Sequence, residues 1–132
     1  MKSKGWFILF FVLILLVSGC STETKVSEEA VNDIILDDMA GEQFKLSDQT
    51  GKPVYVKFWA SWCPVCLQSL PELEQLAADQ ADFEVVTVVS PGHGKEMGAA
   101  EFRKWFDNLD SNNFRVLLDE GGKYAQKFGI RA

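Results

Sequence analysis

The sequence KFWASWCPVC, residues 57–66, places two cysteines three positions apart, directly after an apolar and aromatic run. The segment from Val54 to Trp59 is β-branched and aromatic, which predicts a buried strand. Pro64 suits the first position of a helix, where its missing N–H costs no intrahelical hydrogen bond. We therefore predict that a strand ends just before the cysteines and that a helix begins there, with Cys63 at the helix N-terminus.

Strands and helices alternate through the rest of the chain. Apolar residues recur at helical spacing after Pro64, and residues 83–89 are almost continuously apolar, as in a parallel strand covered on both faces. We predict an extended segment near Phe44 and Leu46, strands at 54–59, 83–89 and 114–118, and helices at 64–79, 99–109 and 122–128. This order predicts an α/β domain in which helices flank a central sheet.

Composition limits the classes of partner. The chain has 132 residues, of which 47% are hydrophobic, and this is ordinary for one folded domain. Three cysteines are too few for a small fold held together by disulfides. The formal net charge of -6 at pH 7 disfavours nucleic acid as a partner, because binding to phosphates requires excess lysine and arginine.

Cys63 and Cys66 carry the predicted chemistry. A disulfide that closes so short a loop constrains the unfolded chain weakly, which favours thiol exchange over bracing. The unpaired N–H groups at a helix N-terminus favour a thiolate at Cys63, whereas Cys66 would lie one turn deeper and be shielded. We expect Cys63 to attack a partner disulfide and Cys66 to resolve the mixed disulfide.

A zinc site and a permanent disulfide are two other uses of such a cysteine pair. A tetrahedral zinc site needs four ligands, and His93 is the one strong additional candidate, so we expect no metal ion and no cofactor. A permanent disulfide in an exported protein is the second alternative.

The N-terminus is predicted to be an export signal. Lys2 and Lys4 precede an apolar run at 6–17, which is shorter than the roughly 20 residues of a spanning helix but typical of a secretory signal. The sequence Ser18-Gly19-Cys20 resembles the lipobox of bacterial lipoproteins, which implies that Cys20 is lipid-modified. We expect residues 1–19 to be a lipoprotein signal peptide, 20–32 a lipid-anchored polar tether and 33–132 the folded domain. The alternatives are a plain signal peptide and an uncleaved anchor.

Residues 57–66 resemble the active-site segment of the thioredoxin superfamily, with Trp59 and Trp62 at the tryptophans that precede the redox pair. Pro71 matches the proline that kinks the helix in that family, because its ring removes one helical hydrogen bond. Pro64 and Val65, between the cysteines, complete the active-site environment that the resemblance implies.

Three later segments, at 87–92, 102–106 and 119–126, resemble thioredoxin-like domains that accompany bacterial surface methionine sulfoxide reductases. The resemblance implies a thioredoxin-like fold and a thiol-disulfide oxidoreductase on the outer face of the cell membrane, anchored through Cys20. Electrons would come from a membrane thiol donor, pass through Cys63 and Cys66, and reduce a methionine sulfoxide reductase, which is an antioxidant role. The alternatives are an oxidase that forms disulfides in exported proteins, an inactive truncated fragment and, least favoured, a copper metallochaperone.

The sequence departs from the family pattern at several positions. Lys57 stands where thioredoxin has a buried acid, and we expect its amine to extend to the surface along its aliphatic stem. Ser69 stands where cytochrome-maturation relatives often have glutamate, which disfavours that role. The family's cis-proline is expected just after residues 130–132, so we expect the domain to lack the cis-proline strand and the C-terminal elements and to be poorly stable by itself. His93 is expected in a solvent-exposed turn.

Overall fold

Five strands form one sheet in the order β2-β1-β5-β4-β3. The computed structural model describes residues 33–79, 82–109 and 113–131, so the predicted signal peptide, Cys20 and the tether lie outside the described residues. The strands are β1 (Ile35–Asp38), β2 (Gln43–Lys45), β3 (Val54–Phe58), β4 (Glu84–Val89) and β5 (Arg115–Leu118). The helices are α1 (Pro64–Gln68), α2 (Leu70–Asp79), α3 (Ala99–Phe106) and α4 (Lys123–Lys127). In this part of the chain, no helix combines the length and the apolar character needed to cross a membrane.

The parallel part of the sheet follows the sequence prediction. β4 lies between β3 and β5 and is parallel to both. Val86, Val88 and Val89 are fully buried, as expected for a strand covered on both faces. β1 runs antiparallel to both β2 and β5, and it was not predicted because four residues that include two aspartates give little strand signal.

Two apolar clusters hold the helices to the sheet. In one cluster, Leu73 of α2 and Phe102 of α3 pack with Trp59. In the other, Tyr124 of α4 packs with Phe44 and Leu117. Complete burial of a side chain of this size contributes about 1.5 to 3 kcal/mol, so these clusters supply much of the stability of the fold.

The helix predicted at 64–79 is two helices in the structure. α1 ends before Ser69, whose backbone N–H bonds to the carbonyls of Cys66 and Leu67. α2 then begins at Leu70, and Pro71 in its first turn has no N–H to continue the α1 ladder. The predicted kink is confirmed, and the single continuous helix is corrected to a short helix that carries the cysteines and a longer one that packs on the core.

Candidate active site

Cys63 and Cys66 form a disulfide at the N-terminus of α1, with 5.2 Å between their Cα atoms. Cys63 is the N-cap residue, in extended conformation, and Pro64 follows at the first helical position. The Cys63 sulfur accepts a hydrogen bond of 3.3 Å from the Cys66 backbone N–H. Both cysteines are half-buried, and Cys66 also packs against the apolar cluster around Trp59. The strand before the cysteines, the helix that begins at Pro64 and the N-cap position of Cys63 therefore match the sequence prediction.

The two tryptophans that precede the cysteines have different positions. Trp59 is 3% exposed, and its ring centroid lies 5.8 Å from that of Phe102. Trp62 is 39% exposed, and the Lys95 ammonium lies 5.4 Å from its ring centroid. Val65 is 71% exposed. Trp59 thus anchors the active-site loop to the core, whereas Trp62 and Val65 form an apolar rim around the disulfide.

Glu96 is a site residue that the sequence analysis missed. Its carboxylate is buried and accepts bonds from the Ser61 backbone N–H at 2.7 Å, the Ser61 hydroxyl at 2.5 Å and the Met97 N–H at 3.0 Å. Hydrogen bonds to an ionised acceptor are stronger than neutral ones. Glu96 therefore fixes the loop two residues before Cys63. A lone glutamate in a glycine-rich segment gives no sequence signal for this contact.

Lys57 turns back toward the cysteine-bearing helix. Its ammonium donates a hydrogen bond of 2.6 Å to the Ser69 hydroxyl, and that hydroxyl donates one of 2.7 Å to the carbonyl of Cys66. The expectation that the amine simply extends to the surface is wrong, because Lys57 is half-buried and bonded to the start of the kink.

His93 lies in the predicted turn, where its N–H bonds to the Ser90 carbonyl, but the expected solvent exposure is wrong. The residue is half-buried, and its ring packs so closely on Gly122 that a Cβ at Gly122 would overlap it. Together with Trp59, Trp62 and Glu96, His93 lines a cavity of about 20 Å³ beside the active-site loop. Small-molecule sites are typically about 300 to 1,000 Å³. This cavity is far smaller than such a site.

The family comparison agrees with this site. The Redoxin family model matches residues 25–132. The chain belongs to the Redoxin family. Relatives of this Redoxin chain include the thiol-disulfide oxidoreductase ResA of Bacillus cereus, 28% identical over 136 residues that cover 93% of this chain and 76% of the relative. An uncharacterized protein of Haemophilus influenzae is 46% identical over 100 residues, and the match spans 75% of this chain and 64% of the relative's length.

Solved structures confirm the thioredoxin-like fold of this Redoxin chain. The exposed lipoprotein thioredoxin Etrx1 of Streptococcus pneumoniae is 45% identical, with a TM-score of 0.72 and coverage of 76% of each chain. The N-terminal domain of PilB from Neisseria gonorrhoeae is 34% identical, with a TM-score of 0.65 over 74% of this chain and 66% of that one. The chain is thus a thiol-disulfide oxidoreductase by family, and Cys63 and Cys66 are its redox-active pair. Across the described residues, no group of three or more His, Cys, Asp or Glu side chains could hold a metal ion.

Proposed function

We propose that this protein is an extracytoplasmic, lipid-anchored reductant of protein disulfides, in which Cys63 attacks and Cys66 resolves. The observation that carries this proposal is the position of Cys63 as the N-cap of α1, with its sulfur bonded to the Cys66 N–H. Backbone N–H groups at that position stabilise a thiolate, and the thiolate is the nucleophile in disulfide exchange.

The reaction starts from the reduced pair. The Cys63 thiolate attacks one sulfur of the partner disulfide, the second partner sulfur leaves as a thiolate, and a mixed disulfide forms. Cys66 loses its proton to solvent and attacks the Cys63 sulfur, which releases the first partner sulfur and closes the Cys63–Cys66 disulfide. The partner gains two electrons, and the cysteine pair loses two. A membrane thiol donor then restores the reduced pair by the same exchange in reverse.

The proposed location at the outer face of the membrane depends on the N-terminal sequence. We propose that residues 1–19 are removed, that Cys20 carries the lipid and that 20–32 form the tether to the domain. The Streptococcus pneumoniae relative is an exposed lipoprotein by its own name, which supports this assignment. Cys20→Ser should release the protein from the membrane fraction, and Cys63→Ser should leave it there. Retention of the Cys20→Ser protein in that fraction would contradict lipid anchoring.

The proposed partner is a methionine sulfoxide reductase whose own cysteines are oxidised in each turnover. The segments at 87–92, 102–106 and 119–126 support this choice through their resemblance to domains that accompany such reductases. The small cavity beside the active-site loop and the exposed rim of Trp62 and Val65 fit a protein substrate. Apolar and aromatic side chains of this kind are common at the centre of protein interfaces.

Trapping of the mixed disulfide tests the proposal. In full-length protein, Cys66→Ser removes the resolving thiol, so partners should remain bound to Cys63 and be identified by mass spectrometry. Cys63→Ser is the matched control and should capture little. Recovery of a methionine sulfoxide reductase supports the proposed partner. If newly exported proteins whose cysteines have yet to form disulfides are recovered instead, the protein is an oxidase.

A further inference from the structure

A chain of two hydrogen bonds connects a cation to the resolving cysteine. The Lys57 ammonium bonds to the Ser69 hydroxyl, and the same hydroxyl bonds to the Cys66 carbonyl. Because both bonds share one oxygen, the ammonium lies within two hydrogen-bond lengths of the Cys66 backbone. Lys57 comes from β3 and Ser69 from the break between α1 and α2, so the contact also joins the sheet to the cysteine-bearing turn.

Cys66 lacks the stabilisation that its position gives Cys63. The Cys63 sulfur accepts a backbone N–H bond at the N-cap of α1, whereas Cys66 is one turn inside the helix. Cys66 also packs against the apolar cluster, and such surroundings disfavour a thiolate. A nearby positive charge favours the ionised form of a thiol, and the Lys57 ammonium is a positive charge that two hydrogen bonds connect to the backbone of Cys66.

Other charged groups near Lys57 and Cys66 either contact other residues or are exposed. In the described part of the chain, no carboxylate forms an ion pair with Lys57. The neighbour of Lys57 on β4 is Thr87, which is uncharged. Five charged or titratable groups on the surrounding loop, α2 and α3 contact other residues: Glu96 contacts Ser61 and Met97, Lys95 contacts Trp62, His93 contacts Gly122, Glu74 contacts Asn113 and Arg103 contacts the Met39 carbonyl. The remaining charged side chains on α2 and α3 are exposed, namely Glu72, Asp79, Glu101 and Lys104.

We propose that Lys57, acting through Ser69, is a positioning residue that stabilises the Cys66 thiolate for resolution of the mixed disulfide. The inference rests on the proposed order of attack, with Cys63 first and Cys66 second. In the step concerned, the Cys66 thiolate forms a bond to the Cys63 sulfur, the bond from Cys63 to the partner sulfur breaks, and the partner sulfur leaves as a thiolate. Lys57 keeps its own proton throughout.

The test follows this step with 5,5′-dithiobis(2-nitrobenzoic acid) and reduced full-length protein in detergent. Each protein releases two coloured thiolates in stopped-flow measurements. The first release depends on reagent concentration and reports attack by Cys63. The second does not depend on it and reports attack by Cys66. Both rates are measured from acid to alkaline pH for the wild type and for Lys57→Met, Lys57→Arg and Ser69→Ala.

Loss of the charge in Lys57→Met should move the pH midpoint of the second release up by about one unit, the lower end of the effect of a neighbouring charge. That shift lowers the thiolate fraction about tenfold on the acid side, but the more basic thiolate is about threefold more nucleophilic. The second release should therefore be about threefold slower at low pH and about threefold faster at high pH, with crossing profiles. Lys57→Arg should stay within about twofold of the wild type, and Ser69→Ala should shift in the same direction as Lys57→Met.

Two outcomes would overturn the inference. A second release slowed by the same factor at every pH would show that Lys57 merely holds the structure, and an unchanged second release would show no role. Ser69→Ala and Lys57→Arg keep the test decisive if Lys57→Met fails to fold. Failure of the proposed order of attack has a separate signature, because Cys63→Ser would then still give the first, reagent-dependent release at the wild-type rate.

Discussion

Replacement of Glu96 by glutamine tests how the active-site loop is held. The carboxylate accepts three hydrogen bonds, two from backbone N–H groups and one from the Ser61 hydroxyl. A glutamine amide has one oxygen and one NH₂ group in place of the two carboxylate oxygens. If its oxygen faces Met97, its NH₂ group faces the Ser61 N–H, and if the amide is flipped, the NH₂ group faces the Met97 N–H. Either orientation leaves one backbone donor without an acceptor.

A buried donor without a partner costs about 1 to 3 kcal/mol, and the charge-assisted character of the remaining bonds is lost as well. We therefore expect Glu96→Gln to lower the free energy of unfolding by about 2 kcal/mol. With a urea dependence of about 1 to 3 kcal/mol per molar, the midpoint should fall by about 1 M. Ser61→Ala removes the hydroxyl bond and keeps both backbone bonds, so its effect should be smaller.

Urea unfolding of the oxidised protein, followed by tryptophan fluorescence, measures this change. The matched control is Glu120→Gln, because Glu120 is exposed and carries the same charge. A substitution at such a surface position should change stability by less than about 0.5 kcal/mol. Equal midpoints for Glu96→Gln and Glu120→Gln would refute the argument that this carboxylate holds the loop.

Three further predictions concern stability. Gly121→Ala and Gly122→Ala both place alanine at positive φ, but only the Gly122 variant meets the His93 ring. Thermal unfolding should show Gly122→Ala as the less stable by about 1 to 3 kcal/mol, with the excess relieved by His93→Ala. Burial raises the pKa of Asp38, but hydrogen bonds from backbone N–H groups and Arg115 outweigh it and hold the pKa below its ordinary 3.8. The stability from Asp38 should therefore be complete above that value and lost as the pH falls through the lower folded pKa, and Asp38→Asn should flatten this part of the pH curve of stability. Phe102→Ala should cost about 3 to 5 kcal/mol in urea unfolding, because the ring is fully buried, and a cost below 1 kcal/mol would contradict its place in the core.

The sequence predicted the strands and helices that show an apolar pattern, and the helix boundaries that a proline sets. The apolar run before Cys63 and the proline after it predicted the strand, the helix start and the N-cap position. Pro71 predicted the break between α1 and α2, because a missing N–H has the same effect in any helix. These features depend on neighbours in the chain, so they are visible without a structure.

Contacts between distant loops could not be predicted. Glu96 bonds to Ser61, which lies 35 positions away in the sequence, and the His93 ring packs on Gly122, which belongs to a different loop. Such contacts depend on the packing of β3, β4 and β5 and have no periodic pattern. The direction of the Lys57 side chain could not be predicted either, because it depends on where the kink places Ser69.

The break at Ser69 has a consequence for how partners tell the oxidised protein from the reduced one. It makes the redox turn a short unit of its own, while α2 stays docked on the core through Leu70 and Leu73. A rearrangement confined to that unit would not tilt the longer helix. In that case the framework around it would be the same for electron donor and acceptor, and discrimination between the two oxidation states would come from the few atoms of the turn itself.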